Sequence, residues 1–226
     1  MKLFLLNILS FFLVLGHNFK PNTEQKDVGD DLLFHSKIGS KNPNIEVSIF
    51  YLETNKNTKD LLIKLNKGTK TVFSDTLSIE MTEAEEPMIE LRDINGDDTN
   101  DLVIEYLRPG RGGNNVSMVY IFDEDNLRLK KIPNSMFFPN LDYDKNLNYI
   151  SSFRFNGGFA VQMDFLKIES DTLCSKYRIT KEEQDVYIEK FGKGEWIKIG
   201  EETIDEDIII PEVIALEPEV KINGYK

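Results

Sequence analysis

From residue 44 onward the apolar residues recur at every second position, and no helical period competes with them. Ile45, Val47, Ile49 and Tyr51 alternate with Glu46, Ser48 and Phe50, and Leu61, Ile63 and Leu65 alternate with Leu62 and Lys64. Successive side chains of a strand point to opposite faces, so this spacing predicts half-buried strands. The same pattern runs through 70–80, 87–92, 101–107, 116–123, 126–132, 148–155, 159–169, 172–180, 184–191 and 195–200. Turn formers separate the runs, among them Asn66-Lys67-Gly68, Asn156-Gly157-Gly158 and Gly192-Lys193-Gly194. Strands at roughly ten-residue spacing imply an all-β meander, sandwich, barrel or propeller. Ile79 to Glu86 is the best helix candidate, but it is acidic and stops at Pro87, so it reads as a loop. In the tail, Ile208-Ile209-Ile210 and Val213-Ile214-Ala215-Leu216 flank Pro211 and suit edge strands.

The beginning of the chain reads as an export signal. Lys2 precedes the apolar run Leu3 to Leu15, and Val14 and Gly16 suit a signal-peptidase site after Gly16. The run is too short for the roughly 20 residues that span a bilayer. The expected organisation is therefore a signal peptide over 1–16, a polar flexible leader over 17–43 and an all-β domain over 44–226. No membrane anchor is expected after processing, and the destination is the periplasm or the outside. Cys174 is the sole cysteine, so the fold stands without an internal disulfide, and the thiol reads as a small buried hydrophobe.

Without Lys2 the chain carries 26 basic and 39 acidic residues. Such a surface repels nucleic acid and favours cations or basic partners, although solubility alone also explains it.

The sharpest local signal is Asp93-Ile94-Asn95-Gly96-Asp97-Asp98-Thr99-Asn100-Asp101. Asp93, Asn95, Asp97 and Asp101 stand at positions 1, 3, 5 and 9, and the Thr99 carbonyl at position 7 can add a backbone oxygen. Calcium wants six to eight such hard oxygens, and an extracellular-type Kd of about 10⁻⁴ to 10⁻³ M is the expectation. The loop is no EF-hand, since position 12 is Ile104, position 6 is Asp98 and strands flank it. An Asx-rich hairpin turn explains the composition equally well, though not the spacing. Asp98 is expected at positive φ.

This string resembles the calcium loops of FG-GAP and integrin-type propeller repeats. The stretch that follows carries the Gly110-Arg111-Gly112-Gly113-Asn114 segment, Val119-Tyr120-Ile121-Phe122, Phe138-Pro139-Asn140-Leu141-Asp142-Tyr143 and Tyr149-Ile150-Ser151-Ser152. Their order over 88–170 resembles exported bacterial single-calcium-loop proteins related to a Xanthomonas periplasmic lysozyme inhibitor. The resemblance implies an irregular small β-propeller or antiparallel meander and binding to an animal-type lysozyme.

The loop Arg108 to Asn115 joins glycine freedom to two guanidinium forks. Arg108, Arg111 and Asn114 are the candidate partner-binding residues; the alternative is a hairpin loop that satisfies the protein's own acidic surface. Catalytic residues are not expected. His17 and His35 both fall in the leader, so a Ser-His-Asp or Cys-His site in the core is not foreseen, and no His/Cys cluster suits zinc. Trp196 reads as core before sugar platform. The expectation is a monomeric, non-enzymatic, calcium-binding protein with a protein partner, a basic lysozyme being one candidate; a carbohydrate or cell-wall module is the alternative.

Overall fold

The computed structural model describes residues 31–52, 58–80, 86–107, 113–156 and 159–203. The expected signal segment, residues 17–30 of the leader, Arg108, Arg111 and the tail strands lie outside the described residues.

Fourteen strands form three antiparallel sheets among the described residues. The first sheet is β1 (Asp31–Lys37), β2 (Ile45–Leu52), β3 (Thr58–Lys67) and β4 (Lys70–Glu80). The second is β5 (Met88–Arg92), β6 (Asp101–Leu107), β7 (Val116–Asp123) and β8 (Arg128–Ile132). The third is β9 (Asp142–Asp144), β10 (Tyr149–Asn156), β11 (Phe159–Glu169), β12 (Thr172–Glu182), β13 (Asp185–Gly192) and β14 (Glu195–Thr203). Neighbours in sequence are neighbours in each sheet, so every sheet is an up-and-down meander, and none closes into a barrel.

The alternating residues do what their spacing predicts. Ile45, Val47 and Ile49 of β2 and Leu61, Ile63 and Leu65 of β3 are wholly buried on one face. Each side chain of this kind contributes about 1.5–3 kcal/mol by leaving water. The leader ends sooner than the polar composition suggests. Residues 31–37 pair with β2, so the folded part reaches back at least to Asp31 rather than starting at residue 44.

The second sheet is packed on both faces. Leu102, Ile104, Met118, Tyr120 and Phe122 meet the first sheet. Ile94, Val103, Val119 and Ile132 meet Ile150, Leu166 and Leu173 of the third. This explains why β6 and β7 are nearly apolar throughout: a strand covered on both sides has no solvent face to alternate with. Tyr120, fully buried, reaches across to the first sheet and donates its hydroxyl proton to Asp75 at 2.9 Å. Burial, and then the Asp75 carboxylate, push the Tyr120 pKa up. The far half of the third sheet keeps its own cluster of Phe165, Ile179, Val186 and Ile188. Cys174 is half-buried in β12 instead of sealed in the core.

Candidate functional site

The loop between β5 and β6 is folded by its own backbone. Asp93 Oδ1 accepts the N–H of Gly96 at 2.6 Å and of Asp97 at 3.2 Å, and its Oδ2 accepts the N–H of Asp98 at 2.9 Å. Asn95 Oδ1 accepts the Asp97 N–H at 3.0 Å, and Asp97 Oδ1 accepts the Thr99 N–H at 2.8 Å. Asn95 Nδ2 donates to Asp97 Oδ2 at 2.8 Å. These are nested Asx turns, in which a short side chain captures the amide two to five residues ahead. Asp98 takes φ 62, as its place in the loop requires. Gly96 takes φ 79, and a Cβ there would stand 2.1 Å from the Tyr143 ring. Glycine is needed at that point twice over, for the turn and for the tyrosine against it.

Asp101 lies beneath this wheel with no exposure. Its Oδ2 accepts the Ile94 N–H at 3.0 Å and its Oδ1 the Phe122 N–H at 2.9 Å. Burial pushes its pKa up to about 7; the two N–H donors pull the other way, and the charges of Asp97 and Asp93 add to the rise. Asp101 therefore ties the loop to β7. The expected ligand set is chemically suited to calcium, with oxygen donors throughout, and most of these oxygens keep a lone pair beyond the bonds just described. It is not gathered round one point: among the described residues no three His, Cys, Asp or Glu side chains converge closely enough to hold a metal ion.

The site stands where the three sheets meet. Tyr143 of β9 packs on Gly96 and donates to Asn148 Oδ1 at 3.0 Å. On the other side, just past β7, Glu124 is 7% exposed and is wrapped by the β1–β2 connection. Its Oε1 accepts the N–H groups of Lys41 and Asn42, both at 2.8 Å, and its Oε2 accepts the Ser40 hydroxyl at 3.1 Å. Burial opposes its charge, but these donors prevail and hold its pKa below the ordinary value. The sequence presents Asp123-Glu124-Asp125-Asn126 as a polar turn and has no local sign of this long-range contact.

Asn114, expected to face a partner, is engaged inside the fold. Its Nδ2 donates to the Phe155 carbonyl at 3.0 Å and its Oδ1 accepts the Phe155 N–H at 2.7 Å. An amide side chain copies one peptide unit, so Asn114 acts as a one-residue strand partner for β10. Asn134 does the same for Leu173, at 2.8 and 2.9 Å. Asn140 accepts the Asn115 N–H at 3.0 Å and donates to the Phe153 carbonyl at 2.7 Å. These asparagines join the second sheet and the segment after it to the third.

Two further expectations change. His35 belongs to β1, and its Nδ1 lies 3.0 Å from Ser48 Oγ while its Nε2 lies 3.7 Å from Glu46. The grouping has the residue types of a hydrolase triad, but Ser48 is only 5% exposed and cannot reach a substrate carbonyl. Trp196 is half-buried, with the Arg178 guanidinium 4.1 Å from the centre of its ring and the Phe191 ring packed edge-on, the two ring centres 5.3 Å apart. Arg178 in turn pairs with buried Asp164 at 2.9 Å. One face of the indole is therefore covered by a cation.

No family model and no curated protein matches the chain. A solved structure of a Xanthomonas protein described as related to a type IV secretion system aligns at 17% identity with a TM-score of 0.47, covering 74% of this chain and 99% of that one. No helix among the described residues is long and apolar enough to cross a membrane.

Proposed function

We propose that this chain is an exported, non-enzymatic β-protein that takes a calcium ion in the 93–101 loop and binds another protein, with a lysozyme-type glycosidase as the candidate partner. One observation carries the reading. The oxygen-bearing side chains of Asp93, Asn95 and Asp97 are each held by N–H groups of their own loop, which Asp101, buried at its end, ties to β7. The ligands would be these four side chains and the Thr99 carbonyl. A divalent ion would offset the repulsion among the three carboxylates. Taking the ion asks the Asn95 amide to turn, because its Nδ2 now faces Asp97 Oδ2.

Calcium here is structural. The loop touches β7 through Asp101 and β9 through Tyr143, so an ion would stiffen the junction of the sheets. In the same reading the three stacked sheets are blades of an irregular propeller. Export rests on residues 1–16, and a basic partner suits a chain of net charge −12. Arg108 and Arg111 remain the candidate partner contacts.

Terbium luminescence tests the ion. Tyr143 packs on Gly96, so it would sensitise terbium held in the loop. Emission should saturate, fall on adding calcium and disappear in Asp93→Ala. A silent titration, together with a melting temperature that neither EDTA nor calcium moves, removes calcium from the proposal. Lysozyme assayed with an equimolar amount of the protein tests the partner; unchanged turnover removes lysozyme.

A further inference from the structure

The third sheet has two apolar faces, and the second sheet covers one of them. Tyr149 and Ile150 are neighbours in β10, and Phe165 and Leu166 are neighbours in β11, so each pair points to opposite faces. Ile150 and Leu166 pack on the second sheet. Tyr149 and Phe165 belong to the face turned away from it, with Ile179 of β12 and Val186 and Ile188 of β13.

Phe165, Ile179, Val186 and Ile188 are no more than 1% exposed. Yet among the described residues every other member of this cluster, and every side chain packed against it, comes from the same sheet or from its β9–β10 turn. Side chains on one face stand side by side, roughly perpendicular to the sheet, and do not close over their own outer ends. The facing apolar sides of the first and second sheets, by contrast, seal each other. A sealed face with no described neighbour asks for a cover from another part of the chain.

Residues 204–226 meet that need in place, length and chemistry. They follow Thr203, the end of β14, and β14 lies beside β13 at the edge of the sheet. They carry Ile208-Ile209-Ile210 and Val213-Ile214-Ala215-Leu216. From β14 to β11 is three strand spacings, roughly 15 Å, whereas residues 204–216 can span roughly 40 Å when extended. Charge agrees as well: the tail is acidic, with Asp205, Glu206, Asp207 and Glu212 around its apolar runs. On the sheet, Lys167 and Lys190 stand 4.5 and 5.6 Å from the ring centres of Tyr149 and Tyr177, two tyrosines packed against the cluster. The start of the chain is worse placed, because it enters at β1 in the first sheet and the second sheet stands between. The stretches 53–57, 81–85, 108–112 and 157–158 hold only Met81 as a large apolar side chain.

We propose that residues 208–216 of the chain's own tail dock on this face, their apolar side chains against Phe165, Ile179, Val186 and Ile188. The tail is then a cover for the third sheet, independent of the calcium loop and of any partner.

Methyl NMR on the full chain, with labelled Ile, Val and Leu methyls, tests this without altering a residue. Ile179, Val186 and Ile188 should show nuclear Overhauser contacts with methyls of Ile208–Ile210, Val213 or Leu216. An equimolar mixture of labelled and unlabelled chains should show these contacts to lie within one molecule. Contacts from residues 1–30 or from a second copy in their place, or no tail contact at all, overturn the proposal. A variant carrying Ile209→Asp and Leu216→Asp should exchange its Ile179 and Ile188 amide protons at least about tenfold faster, since the cover is lost. Unchanged exchange overturns the proposal too. If that variant does not fold, the contacts in the unaltered chain decide by themselves.

Discussion

Two carboxylates sit at the ends of one short path through this molecule, and they behave oppositely. Asp101 and Glu124 are both nearly sealed from water, and both accept backbone N–H groups. Yet Asp101 is pushed up to about 7, while Glu124 is held below its ordinary value. Burial is the largest influence on both; at Asp101 it outweighs the two N–H donors and the neighbouring charges reinforce it, whereas at Glu124 the donors outweigh it. Glu124 collects two N–H groups and a hydroxyl from one wrapped connection. Asp101 has one N–H for each oxygen, and the negative charges of Asp93 and Asp97 stand nearby. The state of a carboxylate is set by the balance of its burial against the donors it finds and the charges it faces.

The largest expected effect separates the two by pH. An acid whose folded pKa lies above its unfolded value binds more protons folded than unfolded between the two. Asp101 should therefore cost stability as pH rises from about 4 to about 7, by about 4 kcal/mol at most. Glu124 has the opposite sign: its contribution is present above the unfolded value and is lost as pH falls through the lowered folded value. Urea unfolding across this range, wild type against Asp101→Asn, isolates the first slope. The variant should lose the slope while paying a constant penalty, since its amide cannot accept both N–H groups. Parallel curves would show that Asp101 is charged throughout.

Next in size, Glu124→Ala should destabilise by about 3 kcal/mol at pH 7, because it leaves two N–H groups and a hydroxyl without their acceptor. Loss below about 1 kcal/mol would mean that water replaces the carboxylate. Gly96→Ala should cost about 2 kcal/mol through positive φ and the Tyr143 contact. Pairing it with Tyr143→Ala should recover the steric share and leave the backbone share, which a double-mutant cycle reads directly. The smallest effect is Asn114→Ala, about 1 kcal/mol, from two lost bonds to Phe155. Its affinity for any partner should be unchanged if Asn114 is a fold residue alone.

Much of the fold was legible in the chain. The period-two runs located all but one of the strands from β2 onward to within a few residues, because half-buried strands must alternate. The missed strand, β9, spans only Asp142–Asp144, too short to show a period. β1 was hidden for a different reason. Its residues are mostly exposed or half-exposed, so Asp31–Lys37 looked like leader. The stretch Asp93–Asp101 stood out locally because Asx turns are made by neighbours in sequence. Glu124, the Asn114 bridge and the His35–Ser48 pair could not stand out, since each depends on partners between 13 and 84 residues away.

By itself, then, the sequence determined the strands, their turns and a loop that curls on its own carboxylates and amides, because those interactions span only a few residues. Tertiary structure alone decided that Asp101 is sealed and Glu124 wrapped, and that Phe165, Ile179, Val186 and Ile188 share one sealed face of the third sheet. Burial and the field of neighbouring charges are properties of the packed sheets, and no short stretch of chain contains them.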